Sequence, residues 1–154
     1  MSTPEERLAA LGLDVPEVVP PVASYIPAVR SGNHIYTSGQ LPMRAGELMA
    51  TGIVGAGVTP DEAHACAQQC ALNAIAAVKS LVGDLSQVTR VVKVVGFVAS
   101  TPDFTGQPGV INGASELLGE VFGDAGVHAR SAVGVAALPL GAPVEVEILV
   151  EVAG

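Results

Sequence analysis

The stretch Val144-Glu145-Val146-Glu147-Ile148-Leu149-Val150-Glu151-Val152 decides the fold. Successive side chains of a strand point to opposite faces. Val144, Val146, Ile148, Val150 and Val152 therefore line one face, and Glu145, Glu147, Leu149 and Glu151 the other. Such a strand belongs to a sheet covered by helices on one side only. Upstream, Arg130 to Ala137 reads as a second strand and Leu138 to Pro143 as a turn, which predicts a hairpin with Glu145 opposite about Ala136. Val88 to Ala99 is a Val-rich strand buried on much of both faces. Thr59-Pro60-Asp61-Glu62 opens the main helix with a capping Thr, a first-turn Pro and acids at its positive end. The apolar stripe from Ala63 to Val82 recurs at three- and four-residue steps, and Gly83 ends it. A second helix spans about Pro108 to Phe122. Tyr25 to Val29 and Asn33 to Thr37 read as strands joined at Ser31-Gly32-Asn33, with a further short strand around Glu47 to Ala50. Thr3-Pro4-Glu5-Glu6 opens a short N-terminal helix, and residues 14 to 23 form an extended lead-in. The order of elements predicts a single α+β domain over residues 1–154, a mixed sheet with two helices packed on one face.

Composition bounds the function. Of 154 residues, 49% are hydrophobic and only 14% charged, so one polypeptide lacks the polar groups to cover its own surface. Subunit association is the expected remedy. The net charge of −8, from 7 basic and 15 acidic residues, with 3% aromatics, argues against nucleic acid and anionic membrane surfaces as partners. The N-terminus lacks the long apolar core of a secretory signal, and no apolar run is long enough to span a bilayer, which predicts a cytoplasmic protein. Cys66 and Cys70, four apart on a helix, read as small packed thiols; neither they nor His64 form a metal site.

Few residues are placed to carry chemistry. Arg130 stands in a stretch with no other fixed charge, and its face-mates Ala132, Gly134 and Ala136 are small. A guanidinium above small side chains offers a bidentate fork to a carboxylate; an ion pair with a Glu of the last strand is its alternative use. Glu145 is the candidate acid or base, or else part of a solvated acidic face with Glu147 and Glu151. In the predicted hairpin, Glu145 lies too far from Arg130 to share a site within one chain. Thr37-Ser38-Gly39-Gln40 could present a hydroxyl and free N–H groups to an anion. Tyr25 and Asn112 read equally well as a packed aromatic and an exposed helical amide. No phosphate loop, dinucleotide fingerprint or hydrolase nucleophile elbow occurs.

Taken together, Tyr25, Gly32-Asn33 through Thr37-Ser38-Gly39-Gln40-Leu41-Pro42, Val92 to Val98, Ile111-Asn112, Ala129-Arg130-Ser131, Leu138-Pro139 and Val144-Glu145 resemble the Rid, or YjgF, family of enamine/imine deaminases. The resemblance implies a chorismate-mutase-like fold and a homotrimer with clefts between subunits. It implies that Arg130 binds a substrate carboxylate and that Glu145 positions or activates water. Tyr25, Ser38, Gly39, Asn112 and Ala132 would line the cleft. It also implies hydrolytic deamination of reactive 2-imino acids without metal or organic cofactor. Ala132 and Gly134 stand where many deaminating members carry Cys and an acid, and these small residues are expected to enlarge the cleft or change its guest. The alternative is a non-catalytic trimer that binds a small carboxylate in a regulatory role.

Overall fold

The computed structural model describes residues 2–154. In chain order its elements are α1 (Pro4–Ala10), β1 (Ala28–Ser31), β2 (His34–Thr37), β3 (Met43–Arg44), β4 (Glu47–Leu48), β5 (Ile53–Val54), β6 (Gly57–Val58), α2 (Pro60–Val82), β7 (Val88–Ala99), α3 (Gln107–Phe122), β8 (Ala129–Val135) and β9 (Val144–Val152). Five strands form one mixed sheet in the order β1-β2-β9-β7-β8. β3 and β4 make a separate small hairpin, turning at Ala45-Gly46 with positive φ at both residues. The parallel β5–β6 ladder was not expected from the sequence.

The predicted hairpin between residues 130–137 and 144–152 does not form. β8 runs parallel to β7, with Arg130 beside Val94, and β9 is antiparallel to both β7 and β2. The reason lies in burial. The apolar face of β9 is fully covered, as is appropriate to a central strand, whereas β8 carries mainly small residues there and takes the edge. With α3 as the crossover, β7-α3-β8 is the familiar parallel strand-helix-strand unit. Two register irregularities between β7 and β9 explain why the Val-rich β7 shows no clean alternation: they reset its phase, so Val88, Val91, Val94 and Val98 all reach the core.

α2 and α3 pack on one face of the sheet, as expected. α2 contributes Ala63, Ala67, Ala71, Ala74 and Ala77 beside Ile75 and Val78, small residues that let it lie close to α3. The apolar faces of both helices and of β7 and β9 join in one core. Cys66 and Cys70 are buried within it as free thiols, and burial pushes both above their ordinary pKa. His64 faces Glu116 of α3 at 3.7 Å on the surface. Among the described residues, no helix is long and apolar enough to cross a membrane.

α1 is a third helix against this layer. Thr3 caps it, with Glu6 completing the reciprocal box. Glu5 fastens it: its Oε2 accepts from Lys79 Nζ at 2.7 Å and from the Leu85 N–H at 2.9 Å. Burial alone would raise the Glu5 carboxyl, but the Lys79 hydrogen bond, the Leu85 N–H and the Lys79 charge together hold it below its ordinary value. A carboxyl lowered in the folded state stabilises the fold above its unfolded pKa, and that contribution is lost as pH falls through the folded value. Glu5→Gln is therefore expected to cost about 1 kcal/mol at pH 7, with the difference from wild type shrinking as pH falls through the lowered folded pKa of Glu5. Urea unfolding at neutral and acid pH checks it; a difference that persists at acid pH would refute the ion-pair account.

Candidate functional site

The sequence-predicted residues separate into two groups on opposite faces of the sheet. Arg130 pairs with Val94, and Val94 is buried against the helices. Glu145 pairs with Phe97, one step out of phase with the buried Val98–Val144 pair, and so lies on the open face. Along the strands the two positions are offset by three residues, about 10 Å, and β7 lies between their strands. They cannot meet within one chain, though the reason is the sheet itself and not the length of a hairpin.

On the helix side, Arg130 is held by its donors. Nη1 donates to Asn112 Oδ1 at 2.8 Å and to Ser115 Oγ at 3.2 Å, and Nη2 to the Pro108 carbonyl at 3.3 Å. Asn112 and Ser115 are three apart on α3 and so share one face toward β8. Ser115 Oγ in turn lies 2.9 Å from His128 Nε2, while His128 Nδ1 sits 2.6 Å from the Gly126 carbonyl. That carbonyl can only accept, so it fixes the proton on Nδ1 and leaves Nε2 of the neutral ring to accept from Ser115. The serine lone pairs then face Arg130. The ion pair considered for Arg130 is absent: among the described residues no carboxylate comes within salt-bridge distance of it. Three of the five guanidinium N–H groups are used, so two are left to donate.

Ala132 packs against the edge of the core beside Arg130 on the same face. Gly134 does not open the cleft as expected. A Cβ there would meet Gln107 Nε2 at 2.8 Å and Ser100 Oγ at 2.9 Å, so a side chain from α3 already fills the space.

On the open face, Tyr25, Ser38, Gly39 and Glu145 line one cavity of about 450 Å³, with Val22 and Pro139. The Glu145 carboxyl lies directly over Gly39, where a Cβ would overlap Oε2; only glycine allows this approach. Burial, and then the negative charge of Glu147, push the Glu145 carboxyl above its ordinary pKa. No donor among the described residues holds it. The Gly39 N–H likewise meets no acceptor, whereas Ser38 N donates to Pro27 O and Gln40 N to Val146 O. The Ser38 hydroxyl is not available to an anion, since it donates to the Ile26 carbonyl at 2.6 Å and ties the lead-in to this loop.

Sequence reasoning missed three supporting residues. Ser115 was legible from its three-residue spacing to Asn112. His128 carried no signal beyond proximity to Arg130. Asn73 is buried on α2, and its Nδ2 donates to the carbonyls of Leu41 and Met43 at 3.0 and 2.9 Å, which fixes the chain just beyond Gly39. A buried amide in an alanine-rich stripe is the only hint the sequence offers.

Comparison with known proteins agrees with this architecture. The chain matches, over residues 5–152, the family described as "YjgF/chorismate_mutase-like, putative endoribonuclease". It is 47% identical over 146 residues to Protein TCP17 of Trypanosoma cruzi, covering 94% of this chain and 91% of that protein. The crystal structure of Atu1372 from Agrobacterium tumefaciens, of unknown function, is 48% identical with a TM-score of 0.91, covering 98% of this chain and 94% of that one. A Shewanella oneidensis MR-1 structure, described as a "putative endoribonuclease", is 36% identical with a TM-score of 0.95, covering 98% of this chain and all of that one. A mixed sheet of this order, helices on one face, and a match along nearly the whole length make this chain a member of the YjgF/chorismate mutase-like family.

Proposed function

We propose that the protein hydrolyses reactive 2-imino acids and their enamine tautomers at clefts between the subunits of a cytoplasmic homotrimer. One observation carries the reading. A guanidinium with no counter-charge and a carboxyl with no donor among the described residues, each only half-buried, stand on opposite faces of one sheet. Each is half of a site, and a second copy supplies the other half. The open face suits such contact, since Val29, Tyr36 and Val133 are about half exposed on it.

In that cleft the two spare N–H groups of Arg130 grip the substrate carboxylate bidentately. Glu145 of the neighbouring copy takes a proton from water as the water oxygen bonds to the imine carbon. The nitrogen, protonated in turn, leaves as ammonia while the carbonyl forms, giving a 2-oxo acid. The free Gly39 N–H is placed to hold a polar atom near this carbon. A carboxyl raised by burial suits the exchange, because its proton affinity lies closer to neutrality than that of a solvated Glu. Arg130 and Glu145 are the catalytic pair; Tyr25, Gly39 and Ala132 line the cleft. Ser38 and Asn112 shape it through the lead-in and Arg130. An RNA-cleaving role, by contrast, has little to draw on with 7 basic residues and a net charge of −8.

The test generates imino acids with an amino-acid oxidase in the presence of semicarbazide and follows loss of trapped product. Wild type is expected to divert the imine; Glu145→Gln is expected to slow this by about 100-fold while still binding a small carboxylate. Binding without turnover by the wild type would overturn hydrolysis in favour of the metabolite-binding trimer.

A further inference from the structure

An apolar cavity of about 360 Å³ adjoins the Glu145 cavity. The two share four wall residues, Val22, Tyr25, Gly39 and Leu41, so they meet at the glycine over which the carboxyl lies. Beyond that point the walls are Val19, Pro20, Met43 and Leu140, and no charged side chain lines them. Apart from the Gly39 N–H at the shared mouth, the polar groups here are partly engaged within the chain. Gln40 pairs with Val146 through both its N–H and its carbonyl, and its side chain turns to the Ser38 carbonyl at 3.4 Å. The Tyr25 hydroxyl accepts from the Val22 N–H at 3.4 Å.

We propose that this cavity receives the substrate side chain, and that the protein therefore prefers 2-imino acids with branched aliphatic or aromatic side chains. The inference rests on the hydrolytic reading above and deepens it. With the carboxylate on Arg130 and the imine carbon facing Glu145, the substituent one bond away passes Gly39 into the apolar space. A methyl group leaves most of that space unfilled. A charged side chain loses its water there and meets no opposite charge. The wall is formed in advance. Pro20 and Pro21 fix the backbone of the lead-in, and the lead-in is tied down by the Ser38–Ile26 bond. Among the described residues Leu140 is one of two non-glycine residues with positive φ, at 59°, and its exposed side chain lines the cavity. A left-handed leucine is held only where its surroundings enforce it.

The experiment compares imines generated from alanine, leucine and phenylalanine with wild type, Val19→Trp and Leu140→Gly. In the wild type the leucine- and phenylalanine-derived imines are expected to be hydrolysed at least about tenfold more efficiently than the alanine-derived one, the low end for added methylenes in an apolar pocket. Val19→Trp, which fills the cavity, and Leu140→Gly, which removes a wall, are each expected to reduce the leucine-to-alanine ratio by about tenfold or more. A ratio is insensitive to a partly folded sample. Hydrolysis of all three imines with a ratio near one, or a ratio unchanged by both variants, overturns the subsite and leaves hydrolysis standing. Hydrolysis of none overturns the reading beneath it. Calorimetry with pyruvate and 4-methyl-2-oxopentanoate reads the cavity without turnover: tighter binding of the larger acid is expected. Equal affinity, as when a second copy of the chain occupies the cavity, overturns the subsite.

Discussion

Replacing Arg130 by alanine is expected to lower imine hydrolysis by at least about a hundredfold, equivalent to about 2.8 kcal/mol. Its guanidinium is committed to no carboxylate of its own chain, and Asn112, Ser115 and the Pro108 carbonyl only orient it. Two donors are therefore free for the substrate, and their loss leaves a desolvated carboxylate unpaired. Arg130→Lys is expected to fail nearly as badly, because one ammonium cannot satisfy three fixed acceptors and a bidentate ligand at once. Thermal stability should fall only modestly, since three hydrogen bonds at a partly exposed position are lost and no ion pair is broken. Activity within threefold of wild type in Arg130→Ala would remove the residue from the mechanism. Coexpression offers a sharper check. If the chain forms trimers in which each cleft takes Arg130 from one copy and Glu145 from another, random assembly of equal amounts of Arg130→Ala and Glu145→Gln chains regains about a quarter of the wild-type clefts over all trimers formed. Two inactive chains that stay inactive together would place both residues outside a shared site.

Gly113→Ala is expected to destabilise the fold by about 3 kcal/mol, through overpacking at the contact of α2 with α3. A Cβ at Gly113 would run into the His64 carbonyl of α2 and lie 3.2 Å from the Gln68 backbone nitrogen, so backbone must move. Glycine to alanine inside a helix ordinarily stabilises by up to about 1 kcal/mol, and α3 supplies its own controls. Gly109 and Gly119 have nothing within 4 Å of an added Cβ, and alanine there is expected to stabilise. Opposite signs within one helix isolate the packing effect. Thermal unfolding is expected to show a fall of roughly 6–12 °C for Gly113→Ala and a small rise for the other two. Asn112 lies next to Gly113 and Ser115 two residues on, so displacing α3 should also weaken the grip on Arg130 and with it carboxylate binding. Stability equal to wild type would mean that the helices part without cost.

The legible parts of this protein are those written in local pattern. Thr59 and Gly83 bound α2 because a capping hydroxyl and a left-handed stop act within a few residues. β9 was plain because alternation is a property of the strand alone. The pairing of β8 was not, since nothing local says whether a strand joins its sequence neighbour or one beyond a helix. Gly134 shows the same limit: a small residue opens a hole only if no side chain from another element, here Gln107, enters it.

By itself the sequence determined the three helices, the long strands of the main sheet, an apolar surplus, and which residues to inspect as candidates for gripping a carboxylate or moving a proton. Each follows from composition or short-range periodicity. Tertiary structure alone decided that Arg130 and Glu145 lie on opposite faces of the sheet, that Gly39 lies beneath a carboxyl with a raised pKa, and that Asn73 and Ser115 hold the chain beyond Gly39 and the Arg130 guanidinium in place. These depend on which strands share an edge and how closely backbones approach, and contacts between residues distant in the chain are fixed only when the whole core is packed at once.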